Sequence, residues 1–160
     1  MAKRIPLTDR ELLDYSKEHV VYELWMFRAV GQALTAPLQM TEPLRNALIE
    51  SFVIHLRNLI DFFYSGQVQA DDVVAAEFFE GSDDWPRLSS ISPTLSTARI
   101  RAHKEVSHLT RKRFAGTPPE KGWEVPELMS EMKGVLNQFV RSASSKKLHT
   151  AVAEFADAWK

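Results

Sequence analysis

Cysteine is absent from the 160 residues, which excludes disulfides, thiolate metal sites and cysteine nucleophiles and fits a reducing compartment. A long hydrophobic run is missing as well. The most apolar segment, SFVIHLRNLIDFFY, is interrupted by His55, Arg57, Asn58 and Asp61, and the opening stretch MAKRIPLTDRELLDYSKEH has early cations but no apolar stretch of signal-peptide length. Neither reads as a membrane span or an export signal, so the expectation is a cytoplasmic protein of bacterial style with no membrane partner. Net charge is nearly absent too, at −1, so attraction to nucleic acid or anionic lipid must come from a local patch. No Gly-rich phosphate loop, GxSxG elbow, HExxH or dinucleotide fingerprint occurs, which leaves no motif for the common small-molecule enzymes.

Strand signals are scarce, whereas helix starts and helical spacing recur. Thr8 with Glu11 forms a reciprocal capping box that opens a helix to about Leu34, before Thr35-Ala36-Pro37. Thr41, Glu42 and Pro43 open a second, ending near Tyr64, with Leu48, Phe52, Leu56, Leu59 and Phe63 as one apolar stripe that Ile49, Ile60 and Phe62 widen. This helix is expected at the centre of a bundle. Asp71 is expected to cap a short helix from Asp72 to Phe79, and Gly81, Trp85 and Pro86 to lie in a loop. Ser92-Pro93 then caps a third long helix through Phe114. Pro126 opens a fourth to about Val140, with Leu128, Met132, Val135 and Phe139 facing the core. A Ser-rich hinge, Ser142 to Ser145, precedes a last short helix holding Leu148, Val152, Phe155 and Trp159, although these two also fit one bent helix. The four tryptophans are assigned to the core as packing anchors. No repeat or composition shift marks a second domain, so residues 1–160 are read as a single all-α domain, a four-helix-type bundle with additional short helices.

The third helix carries the chemistry. At 100° per residue Arg101, Lys104, His108 and Arg111 fall within about 80° of one another, opposite a stripe of Leu95, Ala98, Ala102, Val106 and Leu109. Residues 99–113 hold six Lys or Arg against one acid, Glu105, a charge pattern that suits phosphate contact. A solvated face is the plain alternative, and cations at a helix end also complement its dipole. His103 and His108 are five apart, about 140° around a helix, where a helical zinc pair needs a spacing of four, so no metal site is expected. Asp71-Asp72 is explained by capping and Asp83-Asp84 by loop solvation. In the second helix Arg57 and Asp61 form an i,i+4 pair, and the polar set His55, Arg57, Asn58 and Asp61 needs partners. A functional reading packs this set beside the basic helix, where it orients the side chains there.

Arg101, six intervening residues and His108, near the end of a helix in an all-α chain of this size, resemble the R-x4-6-H motif of the HEPN superfamily. HKEVSHLTRKR and HLRNLIDFF are similar to segments of bacterial HEPN-like proteins, so the resemblance runs from about Leu44 to Phe114. It departs from the family at Ala102, where a polar residue, often Asn, usually follows the Arg; His103 and Lys104 stand where a closer-spaced Arg-Asn pair would sit. The resemblance implies a metal-independent endoribonuclease that pairs two motif helices across a homodimer, although many relatives are inactive binders or scaffolds. His108 is then the catalytic base, since imidazole titrates near neutral pH. Arg101 stabilises charge on the phosphate, with Lys104 and Arg111 as RNA contacts or substitutes, and Arg57, Asn58, Asp61 and His103 in support. No cofactor is implied. The competing reading is a noncatalytic interaction or ligand-binding protein whose basic face docks an acidic partner.

Overall fold

The structure, a computed structural model, describes residues 6–64, 66–106, 111 and 122–159. In chain order it contains α1 (Asp9–Tyr15), a π-helical turn (Ser16–Val20), α2 (Val21–Thr35), α3 (Glu42–Tyr64), a 3-10 turn (Ala75–Phe78), α4 (Asp84–Leu88), α5 (Pro93–Arg101), a second π-helical turn (Ala102–Val106), α6 (Val125–Ser142) and α7 (Thr150–Ala158). No strand occurs among the described residues. The architecture is all-α, as expected.

The starts follow the sequence. Thr8 Oγ1 accepts from the Glu11 N–H at 3.3 Å while the Glu11 carboxylate accepts from the Thr8 N–H at 2.8 Å, and these bonds hold the Glu11 carboxyl below its ordinary range. Ser92 Oγ accepts from the Leu95 N–H at 3.1 Å, with Pro93 at the first helical position. The first helix is not uniform, however. The Val21 N–H donates to the Ser16 carbonyl, five residues back, so one wide turn separates α1 from α2. Inside that turn Ser16 is fully buried, donating to the Leu13 carbonyl and accepting from the His149 N–H at 3.1 Å. His149 in turn caps α7, its Nδ1 accepting from the Ala151 N–H. Residues 143–149 are non-helical, so α6 and α7 are separate helices.

α2 and α3 pack antiparallel: Glu23 meets His55 and Asn58, and the Phe27 and Phe52 rings stack at 4.7 Å. Phe52, Leu56, Leu59, Ile60 and Phe63 are all buried, which makes α3 the central helix. At its C-terminal end Phe139 of α6 lies within 6 Å, centroid to centroid, of Phe62, Phe63, Phe78, Phe79 and Trp85. Trp85 is 2% exposed and its indole N–H donates to the Phe63 carbonyl at 2.7 Å.

Several local expectations are corrected. Trp85 belongs to a short helix, α4, because its ring is held in the core. Asp71 does not cap a helix: Asp72 accepts from the Gln69 N–H, and the 3-10 turn begins only at Ala75. The α6 seam is Val125, Leu128, Met132, Leu136 and Phe139, with Val135 half-buried, since steps of three and four wind around that side of the helix. Trp25 is 55% exposed, whereas Trp123 is half-buried and packs against the edge of the core with Arg101 over its ring.

Two mid-helix glycines test the packing. A Cβ on Gly31 would press into the Met129 side chain and stand 3.1 Å from the buried Phe52 ring, whereas one on Gly134 meets nothing within 4 Å. Gly134→Ala should stabilise by about 0.5–1 kcal/mol through helix propensity. Gly31→Ala should destabilise, because overpacking of about 1–3 kcal/mol outweighs the same gain. Urea unfolding of the two variants gives the signs directly.

Candidate functional site

The polar side chains of α3 have found partners on neighbouring helices. His55, 9% exposed, contacts Glu23 Oε2 through Nδ1 at 2.8 Å, and the Asn58 amide donates to the same oxygen at 3.2 Å. One turn further along, Asp61 stands between two guanidinium groups: Arg57 Nε is 3.5 Å from one carboxylate oxygen and Arg99 Nε of α5 is 2.7 Å from the other. The Arg99 contact is a charge contact, since its N–H is not aimed at that oxygen, which has no hydrogen bond. Arg99 Nη1 also donates to the Tyr64 carbonyl at 3.4 Å. Asp61 thus clasps the basic segment to the central helix. With each pair about one-third exposed, the clasp fixes geometry more than it adds stability.

Beside it opens a cleft of about 730 Å³ lined by Tyr15, His19, Glu23, Arg57, Asn58, Asp61, Asp71 and Arg99, among others. Tyr15, His19 and Val20 reach it from the end of α1 and the first π turn, and the Tyr15 and His19 rings lie 4.8 Å apart. Burial, then the negative field of Glu23, Glu77 and Asp72, pushes the Tyr15 hydroxyl above its ordinary value of 10.0. Tyr64 is raised by burial, with the Ser89 bond opposing.

Arg101 is held differently. Its guanidinium makes two bonds to Glu105, at 3.1 and 3.0 Å, donates to the Gly122 carbonyl at 3.0 Å, and lies 4.3 Å over the Trp123 ring. Much of its charge is answered within the chain. Past Ala102 the π turn advances each residue by less than 100°, so the single face computed for Arg101, Lys104, His108 and Arg111 does not continue unbroken through it. His103 is exposed, Lys104 half-buried and Arg111 exposed. His108 and Leu109 lie outside the described residues, as does most of the segment 107–121.

Of the residues singled out from the sequence, the structure brings Arg57, Asn58 and Asp61 together with Arg99, while Arg101 occupies a separate setting with Glu105 and Trp123. Sequence reasoning missed Arg99, Glu23 and Tyr15. Among the described residues no cluster of three or more His, Asp or Glu is arranged to hold a metal ion, and no helix is long and apolar enough to cross a membrane. The chain matches no family model, no curated protein and no solved structure.

The raised Tyr15 has a pH consequence. Because its folded value lies above its unfolded one, the folded state binds the proton more tightly, and the associated stability is complete below pH 10 and lost as pH rises through the folded value. Unfolding free energy measured by urea between pH 9 and 11.5 should therefore fall with pH, and less steeply in Tyr15→Phe. An unchanged slope in that variant would show that Tyr15 does not sense the cleft.

Proposed function

We propose that the protein binds single-stranded RNA through α5 and the basic segment that follows it, and cleaves it as a homodimer without a metal ion. The observation that supports this reading is the clasp between Asp61 and Arg99. It joins the polar set of the HLRNLIDFF segment to the motif-bearing helix, as a site needs if one helix is to hold the cations of the other in place. In the reaction, His108 takes the proton of a ribose 2′-OH and the oxygen attacks the adjacent phosphorus. The bond to the 5′-oxygen breaks, that oxygen takes a proton from a second His108 across the dimer, and a 2′,3′-cyclic phosphate and a 5′-hydroxyl remain. Arg101, oriented by Glu105 and Trp123, answers the charge that grows on the phosphate oxygens. Lys104 and Arg111 contact neighbouring phosphates. Ile100, beside Arg101 and 57% exposed, is the apolar contact through which two motif helices meet.

A second reading has one observation in its favour. Arg99 and Arg101 both already hold carboxylates, as they would on a noncatalytic domain whose remaining basic surface docks an acidic partner.

Fluorescence anisotropy with a labelled single-stranded RNA should show affinity that falls steeply with salt, and Lys104→Ala or Arg111→Ala should each flatten the slope by about one. Glu105→Gln should tighten binding, because it removes the carboxylate that competes with phosphate for Arg101. His108→Ala should abolish cyclic-phosphate product and leave binding intact. Ile100→Asp should convert a dimer to a monomer in sedimentation and abolish cleavage with it. RNA affinity without any dependence on salt, or cleavage that survives His108→Ala, would refute the proposal. Absence of RNA binding would favour the second reading.

A further inference from the structure

A second cavity, of about 380 Å³, opens between α5 and the start of α6. α5 lines it with Thr94, Ala98 and Arg101, and the facing chain lines it with Trp123, Glu127 and Leu128. Two contacts pin its ends. At one, the Thr94 hydroxyl donates to Glu127 Oε1 at 3.2 Å. At the other, the Arg101 guanidinium lies 4.3 Å over the Trp123 ring and donates to the Gly122 carbonyl at 3.0 Å. Thr94 and Arg101 are two turns of α5 apart, about 10 Å along the helix. Ala98 and Leu128 are buried and give the cavity an apolar floor. Its volume falls at the small end of the range of small-molecule sites.

The Glu127 end is rich in acceptors. A carboxylate has about four acceptor sites, and among the described residues only Thr94 bonds to that of Glu127. Glu127 is exposed, and Glu124 brings a second carboxylate to the rim. An alkylammonium would match these carboxylates but would meet the Arg101 guanidinium at the far end. A nucleotide matches both ends, with the donor edge of its base at Glu127, the flat ring over the apolar floor and its phosphate toward Arg101. Bases of single strands are read in this way, through hydrogen bonds on their Watson–Crick edges. Only guanine presents two neighbouring donors, N1–H and the N2 amino group, to one carboxylate. Adenine and cytosine set a single amino group beside a ring nitrogen that accepts, and uracil flanks its one N–H with two carbonyls. Each of these turns a lone pair toward the Glu127 oxygens. We infer that the groove between α5 and α6 takes one base of the bound strand and selects guanine through Glu127. The inference rests on the RNA reading for the strand that supplies the base, and it names the base beside the phosphate that Arg101 answers.

The test uses the full chain and the four ribonucleoside 3′-monophosphates, which carry the same phosphate and differ only in the base. Calorimetry should show 3′-GMP binding about tenfold more tightly than 3′-UMP, the increment of one charge-assisted pair, with 3′-AMP and 3′-CMP close to 3′-UMP. Glu127→Gln keeps an oxygen for Thr94 but puts an NH₂ donor where guanine needs an acceptor. This variant should lose the preference for guanine while its affinity for 3′-UMP and its circular dichroism stay unchanged. Equal affinity for all four compounds, binding of none, or a guanine preference that survives Glu127→Gln would overturn the inference. A guanine preference that Glu127→Gln removes, in a chain with no affinity for labelled RNA, would uphold the pocket and overturn the RNA reading alone.

Discussion

Phe139 stands where α3, α4, α6 and the 3-10 turn converge, and its ring touches the five other aromatic rings that cap the C-terminal half of the central helix. Aromatic pairs at these separations add specific geometry to the burial of large apolar area. The cluster therefore fixes which way α3 is turned about its own axis. With Phe63 directed into the cluster and Leu59 and Leu56 buried behind it, Arg57, Asn58 and Asp61 have only the side facing the cleft left to occupy. The polar arrangement that supports the functional readings is set by apolar packing on the opposite face.

Along the other half of α3, the Phe27 and Phe52 stack does the same for α2. Glu23 lies one helical turn from Phe27, so the stack brings its carboxylate level with His55 and Asn58. The contact is a bracket in which one carboxylate oxygen holds two neighbours, His55 and Asn58, on successive turns of α3.

Helix starts were legible in the sequence because a cap is a local device: Thr8 with Glu11, and Ser92 with Leu95, need only residues three apart. The central position of α3 was legible from the width of its apolar arc. What could not be read depends on distance in the chain. Asp61 and Arg99 are brought together by the packing of α3 against α5, and nothing in the spacing of either helix announces the pair. Arg57 with Asp61 was visible as an i,i+4 pair, but not that Asp61 has a second cation. Trp25 was misplaced because a large aromatic residue in an apolar stretch reads as core, while α2 turns it outward. Arg101 could be marked as a cation on a helix and its pair with Glu105 is a local i,i+4 contact, but its bond to the Gly122 carbonyl and its place over the Trp123 ring depend on where the chain returns after residue 121. The two π turns left no signature, since the residues in them, SKEHV and AHKEV, fit an ordinary α-helix equally well.

Those π turns let the chain take up a change of length at two places. Each is what a helix looks like after taking in one surplus residue, with the backbone opened to hold it. Loss of one residue between Ser16 and Val20 would let the turn close into a regular α-helical one with its flanks near the register they already have, whereas the same loss inside α2 would rotate one flank relative to the other by about 100°. The first π turn is thus the place where α1 and α2 keep their faces in line although the number of residues between them departs from the helical period.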